Sequence, residues 1–286
     1  MANSYATDVI EVDFDQSMGK QCKESFERFS ASSKSSKRYA EFKNIYYSNL
    51  PSGIKPRSTP LIPKIIHQIW LGKAELPSLY LRYQQEWKKL HPDWNYILWT
   101  ENEIDKLEFS TKELYAKSKD YLEKADLVRY EVLNKFGGVY ADFDVEPKIN
   151  LDSLIYKYEF FAGLEPSYKQ YKVQPVINNG FMGSIPLNSI LIATINKIKN
   201  SDLNIDHASV TVKTMLPLTE AFLENYQKLN HVIAFPVTYT QPKQFKYTLS
   251  KRMVKKWYRK LFDNCDGNFS ELKPETIAFH NIGKEQ

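Results

Sequence analysis

Apolar and polar positions follow two rhythms along most of the chain. Residues 64–72, KIIHQIWLG, form a short apolar run that leaves on a glycine, the pattern of a buried strand. Residues 78–90, SLYLRYQQEWKKL, repeat Leu79, Tyr83 and Trp87 at a spacing of four, which predicts an amphipathic helix. WNYILWT at 94–100 predicts a second strand, and Thr100 with Glu103 has the spacing of a helix-capping box. A helical region is predicted over 111–136, with Ala125, Val128 and Val132 as its apolar stripe and Gly137 as its C-cap. A third strand follows at once, ending in Asp142 and Asp144. Later strands are predicted at EFFAGLE (159–165), NNGFMGS (178–184), HVIAFPVTY (231–239) and ETIAFHN (275–281). Strands alternating with helices predict an α/β domain with a mostly parallel sheet, in which ligands bind beyond the carboxyl ends of the strands.

The first 60 residues break this alternation. QCKESFERF and RYAEFKNIYYSNL predict two short helices around a Ser/Lys-rich loop, and PSGIKPRSTPLIP, with four prolines, predicts an extended linker. The expected division is therefore a helical extension and linker over 1–60 and one α/β domain over 61–286. No internal repeat is visible.

Composition narrows the function classes. The chain of 286 residues is 42% hydrophobic and 26% charged, ordinary for a globular protein. Two cysteines, Cys22 and Cys265, cannot build a disulfide framework or a zinc site. The N-terminal residues lack the apolar core of a signal peptide, and no run approaches the roughly 20 apolar residues of a membrane span. Cytoplasmic residence is the expectation, with secretion into a host cytosol equally compatible. The net charge of +5 is concentrated in KRMVKKWYRKLF, residues 251–262, so the rest of the chain is near neutral and does not read as a nucleic-acid binder. That segment spaces Met253, Val254, Trp257, Tyr258 and Leu261 as a helix would, with Lys255, Lys256, Arg259 and Lys260 between them. It reads either as a domain helix or as a peripheral contact for an anionic membrane.

The chemistry is concentrated in KADLVRYEVLNKFGGVYADFDVEP, residues 124–147. In an extended segment residues i and i+2 share a face, so Asp142 and Asp144 are expected to point together beyond the sheet edge. Two unpaired carboxylates repel, and a divalent cation, Mg²⁺ or Mn²⁺, removes that cost with substrate phosphates completing its shell. On this reading deletion of one carboxylate leaves metal-free stability unchanged or raises it. A solvated acidic turn is the other reading. A calcium loop needs glycine where Pro147 stands, and the phosphatases that use Asp-x-Asp usually carry Thr or Val where Glu146 stands. On the preceding helix Asp126 and Arg129 stand at i, i+3, either as a surface ion pair or as a grip on sugar hydroxyls.

Together with IPKIIHQIWLG, HPDWNYILWT and FPVTYTQP, this block resembles the DXD-type glycosyltransferases of family 32, which include fungal initiation-specific α-1,6-mannosyltransferases. It is more distantly similar to the large clostridial glucosylating toxins. The resemblance covers about residues 61–283. It implies a GT-A fold, a divalent metal (Mn²⁺ or Mg²⁺), a UDP- or GDP-linked sugar donor and transfer with retention to a glycan, lipid or protein. Carried onto this chain, it implies that Trp70 stacks on the nucleotide base with Ile69 beside it. It implies that Asp126 and Arg129 hold the donor sugar, that Tyr140 lines the donor site, that Asp142 contacts ribose or sugar hydroxyls and the metal's shell, and that Asp144 is the direct metal ligand. Asp126, Arg129 and Asp142 then form the catalytic set. AFHNIGK makes His280 a candidate metal ligand and Lys284 a diphosphate contact, although a hydrogen-bonded structural histidine fits His280 as well. Asn178 and Asn179 are sugar or acceptor contacts, or turn residues ahead of Gly180. Met215 and Leu216 stand between Thr214 and Pro217 where relatives often carry Thr-Gly-Pro.

Two other function classes stay open on the residues alone. One is a phosphatase or nucleotide hydrolase that uses the Asp pair. The other is a non-catalytic protein that binds sugar nucleotides without turnover.

Overall fold

Gly137 and Gly138 have φ of +64° and +101°, a left-handed pair that side chains with a Cβ rarely adopt. A Cβ on Gly138 would stand 2.7 Å from the Ile65 carbonyl oxygen. These two residues reverse the chain between the helix over Tyr121–Phe136 and the strand that leads to the Asp pair. The structure, a computed structural model, describes residues 9–18, 34–165, 175–201, 210–241 and 273–280. QCKESFERF, the basic segment 251–262 and Lys284 lie outside the described residues.

Eight strands are described: β1 (Ile65–Ile69), β2 (Asn95–Trp99), β3 (Gly138–Ala141), β4 (Val145–Pro147), β5 (Phe160–Leu164), β6 (Ile177–Ser184), β7 (Val232–Phe235) and β8 (Ala278–His280). The helices are α1 (Phe14–Met18), α2 (Lys34–Ser48), α3 (Ser78–Leu90), α4 (Glu101–Asp105), α5 (Lys112–Lys117), α6 (Tyr121–Phe136), α7 (Asp152–Ile155), α8 (Ser189–Asn200) and α9 (Val210–Asn225). Six strands form one sheet in the order β2-β1-β3-β6-β5-β7, and β4 pairs with β8 in a separate ribbon. β6 alone runs antiparallel to its neighbours β3 and β5, while the β1–β2, β1–β3 and β5–β7 pairs are parallel. The mostly parallel α/β sheet expected of a GT-A fold is thus present. The single reversed strand has a consequence: the beginning of β6 lies at the same edge as the carboxyl ends of β3 and β5.

The periodic segments fold as their patterns dictate. α3 buries Tyr83 and Trp87, and α4 opens with the Thr100–Glu103 capping box. α6 is capped by the Asp120 side chain at its start and Gly137 at its end, and buries an unbroken run from Asp126 to Leu133. That run exceeds the stripe read from Ala125, Val128 and Val132, because α6 packs against other helices as well as the sheet. The region 111–136 divides into α5 and α6. ETIAFHN contributes only a three-residue strand outside the main sheet, and its partner β4 was not anticipated. HVIAFPVTY ends its strand at Phe235, before Pro236, and continues as a 3₁₀ turn over Val237–Tyr239.

The predicted RYAEFKNIYYSNL helix begins earlier, at Lys34, inside the Ser/Lys-rich stretch. Phe14, Phe42, Tyr46 and Ile54 belong to the same buried cluster as the sheet residues. Tyr46 and Tyr239 share a hydroxyl–hydroxyl hydrogen bond of 2.9 Å, and Ser17 and Thr238 share one of 2.6 Å. The N-terminal segment therefore packs on the turn after β7. That turn in turn holds β8, through His280 N to Thr240 O and Ile277 N to Tyr239 O, each 2.9 Å. No helix among the described residues is long and apolar enough to cross a membrane.

Candidate donor and metal site

The Asp pair lies in a turn between β3 and β4, not in an extended strand. Asp142 N donates to Gly180 O at 2.8 Å, and Val145 N closes the turn onto Asp142 O at 3.0 Å. The two carboxylates still converge. Phe143 between them is buried and packs its ring against Trp70 at 5.3 Å and Tyr80 at 6.4 Å.

β8 delivers His280 to the same point. Its Nε2 is 3.2 Å from Asp144 Oδ1 and 3.9 Å from Asp142 Oδ2. Ligand atoms of Asp142, Asp144 and His280 all lie within 4.8 Å of one another. His280 Nδ1 is buried with no hydrogen-bond partner among the described residues. Burial disfavours the imidazolium, but the Asp144, Asp142 and Glu165 charges outweigh it and raise His280 to about 9. Burial acts to raise Asp144 as well, yet the His280 charge and hydrogen bond hold its carboxyl below the usual range. The pair is thus compensated, and the simple repulsion expected from two adjacent carboxylates is replaced by an Asp144–His280 ion pair. Two carboxylates and one imidazole nitrogen form a donor set that fits a divalent cation.

Arg129 and Asp126, expected on a helix face, are both buried on α6. Arg129 Nη2 is 2.7 Å from Asp126 Oδ1 and 3.2 Å from Asp142 Oδ1. Its Nη1 donates to Asn179 O at 2.8 Å, and its guanidinium lies 4.5 Å over the Tyr140 ring. Tyr140, fully buried, donates its hydroxyl to Asp142 Oδ1 at 2.6 Å. Asp126 Oδ2 accepts from Thr214 Oγ1. Burial pushes the Asp126 carboxyl up, and Arg129 and Thr214 offset that. Asp126, Arg129, Tyr140 and Asp142 therefore form one connected network, with Arg129 at its centre.

The start of β6 forms the floor. Its pairing with β5 slips between Ala162, opposite Met182, and Gly163, opposite Asn178. Asn179, Gly180 and Phe181 fall in this irregularity, a common device for re-aiming groups beside an active site. Gly180 has no room for a side chain: a Cβ would stand 2.5 Å from Asp142 Oδ2 and 2.8 Å from His280 Cε1. Asn179 Nδ2 donates to Tyr130 OH at 3.0 Å, and Asn178 Nδ2 donates to Glu165 Oε1 at 2.9 Å.

Trp70 follows β1, its backbone N bonded to Trp99 O and its indole N to Ala74 O, each at 2.9 Å. The indole is half-buried and meets Tyr80 edge-on at 6.2 Å, while Ile69 is buried in the core. Burial, then the Asp144 and Asp142 charges, raise the Tyr80 hydroxyl. Tyr80, Phe143 and Glu165 were not singled out in the sequence, and Thr214 was named only as the start of the Thr214–Pro217 stretch, with no role at the site. Tyr80 and Phe143 had the signal of aromatic residues near Trp70 and between the aspartates, whereas Thr214 and Glu165 reach the site only through tertiary packing.

The description of a glycosyltransferase sugar-binding region containing a DXD motif matches residues 77–161. An uncharacterised glycosyltransferase of Acanthamoeba polyphaga mimivirus is 32% identical over 180 residues, covering 59% of this chain and 68% of the viral protein. The chain belongs to the DXD-type glycosyltransferases. A mannosyl phosphorylinositol ceramide synthase of Saccharomyces cerevisiae is 30% identical over 167 residues, covering 57% of this chain and 40% of the yeast enzyme. The match thus spans about two fifths of the length of that relative. Among solved structures, the PaToxG glycosyltransferase is similar with a TM-score of 0.49 at 17% identity, over 73% of this chain and 78% of that one.

Proposed function

We propose that this protein is a metal-dependent glycosyltransferase that moves a hexose from a nucleotide-linked donor to an acceptor hydroxyl, with retention at the anomeric carbon. The observation that carries the reading is the convergence of Asp142, Asp144 and His280 beside the buried Asp126–Arg129 pair. Asp142, Asp144 and His280 would hold the cation, Mn²⁺ or Mg²⁺, with the imidazole nitrogen weighing against the harder Mg²⁺. When bound, that ion neutralises charge on the donor diphosphate. Arg129 adds a fixed cation that needs no reorganisation, because Asp126, Asp142, Asn179 O and the Tyr140 ring already hold it. Asp126 and Asn179 face donor-sugar hydroxyls, and Trp70 offers the base an aromatic face. In the reaction the bond from the anomeric carbon to the diphosphate oxygen breaks. The acceptor oxygen bonds to the same face of that carbon, and the acceptor proton passes to the departing diphosphate.

Mannose is the first sugar to test, since the yeast relative is a mannosyl phosphorylinositol ceramide synthase. By the same comparison an inositol-phosphate lipid is the first acceptor class to test, ahead of glycans and proteins. Residence in the cytoplasm and Lys284 as a diphosphate contact belong to the same proposal. The test is a hydrolysis screen of GDP-mannose, UDP-glucose, UDP-galactose and UDP-N-acetylglucosamine with Mn²⁺. Release of nucleoside diphosphate from one donor, abolished by chelation, is expected. Metal-independent phosphate release with phosphoenzyme formation at Asp142 would instead establish a phosphatase.

A further inference from the structure

Glu165 is a buried carboxylate beside the site that the reaction as proposed does not use. It follows β5, is 8% exposed, and anchors its backbone N to Val176 O at 2.9 Å across the sheet. Its Oε1 accepts from Asn178 Nδ2 at 2.9 Å, and Asn178 Oδ1 accepts from Gly180 N at 2.8 Å. Gly180 O in turn accepts from Asp142 N at 2.8 Å, and the next carbonyl back, Asn179 O, accepts from Arg129 Nη1 at 2.8 Å. Both carbonyls sit in the stretch where β6 departs from its regular pairing with β5, and the Gly180 carbonyl is held from the β3 side alone, one residue past the Ala141–Phe181 pair.

We infer that Glu165 is a positioning residue for the candidate metal and donor site, acting through Asn178 to hold the irregular start of β6, to whose carbonyls Asp142 N and the Arg129 side chain are hydrogen-bonded. The chain of contacts is continuous, and every link is a hydrogen bond of 2.8–2.9 Å. An acceptor oxygen at this point gives Asn178 one fixed amide orientation: its NH₂ turns to Glu165 and its oxygen to Gly180. Without that acceptor the amide is free to rotate, and Gly180 N loses its partner. The tolerance at Gly180 is small, since the Asp142 carboxylate and the His280 ring already stand within a Cβ's reach of it. Burying a carboxylate against the cost of desolvation is otherwise unfavourable, and no ion pair to Glu165 occurs among the described residues.

The inference rests on the reading of Asp142, Asp144 and His280 as a cation site, so the test carries one arm that needs metal and one that does not. Glu165→Ala, Glu165→Gln and Asn178→Ala are compared with the unaltered chain. Mn²⁺ binding is measured by titration without donor, with Asp144→Asn as the reference for loss of the site. Amide hydrogen exchange is followed in metal-free protein over the segments holding Asp142 and Gly180. Glu165→Ala and Asn178→Ala are expected to weaken Mn²⁺ binding about 10-fold or more, the usual effect of removing an outer partner of a metal site. They are expected to speed exchange at both segments, and the double variant to do no worse than either single one. Glu165→Gln, which keeps an acceptor oxygen, is expected to restore both readouts. Unchanged exchange at these segments in Glu165→Ala, with its fold intact by circular dichroism, overturns the inference. So does a Gln variant as impaired as Ala, because the charge itself would then be acting directly. If the unaltered chain binds no Mn²⁺, the functional reading falls, while the exchange arm still decides the role of Glu165.

Discussion

His280 Nε2 lies 3.2 Å from Asp144 Oδ1, so β8, near the end of the described chain, closes on the turn after β3. The carboxylate pair is therefore not a centre of bare repulsion. Asp144→Asn is expected to abolish Mn²⁺-dependent donor hydrolysis. It is also expected to lower metal-free stability by about 1–3 kcal/mol, since a buried imidazole loses its charged partner. This reverses the sign that repulsion alone predicts. Urea denaturation in chelator, beside turnover at saturating Mn²⁺, checks both parts; a variant as stable as the parent contradicts the ion pair.

Arg129 serves Asp126, Asp142 and Asn179 O at once. Arg129→Ala strands the buried Asp126 carboxylate and is expected to cost about 3–5 kcal/mol of stability. Arg129→Lys cannot supply the planar fork and is expected to recover less than half of that. Equilibrium unfolding of both variants decides it, and a loss below 1 kcal/mol for the Ala variant would restore the surface-pair reading.

Gly180 tests the site by volume alone. Gly180→Ala puts a Cβ 2.5 Å from Asp142 Oδ2. Mn²⁺ affinity is expected to fall at least about 10-fold, by the displacement of a ligand and its support. Isothermal titration gives the answer, and parent-like binding would show that Asp142 has room to move.

His67 gives the fold a defined acid limit. It is fully buried on β1; Nδ1 accepts from Trp99 Nε1 at 3.0 Å, so Nε2–H is the donor to Gly137 O at 2.8 Å. Burial lowers its pKa to about 4. A depressed pKa on a base means that the stability it contributes is whole above the unfolded value near 6.5 and is lost as pH falls toward 4. At about 1.4 kcal/mol for each tenfold change in proton affinity, the loss is on the order of 3 kcal/mol. Denaturation midpoints of the parent and His67→Gln between pH 7 and 4 should converge; parallel curves would remove His67 from the acid response.

Local pattern determined much of this molecule. The spacing of Leu79, Tyr83 and Trp87, the Thr100–Glu103 box, the glycine reversal after Phe136 and the Asp-x-Asp that follows are all set by neighbours within a few residues. The candidate site was legible to the same extent: Asp126, Arg129, Asp142 and Asp144 lie within 19 consecutive residues. What the tertiary structure decided is which of these charges are buried and what compensates them. Asp126 and Arg129 at i, i+3 have the same sequence signature on a wet face and in a core. Only the packing of α6 between the sheet and α9 removes water and brings Thr214 to Asp126. Likewise Asp144 meets His280, and Glu165 reaches Asp142 through Asn178 and Gly180, across separations that no periodicity records. Side-chain direction along a helix or strand is a local property; desolvation and charge compensation belong to the assembled fold.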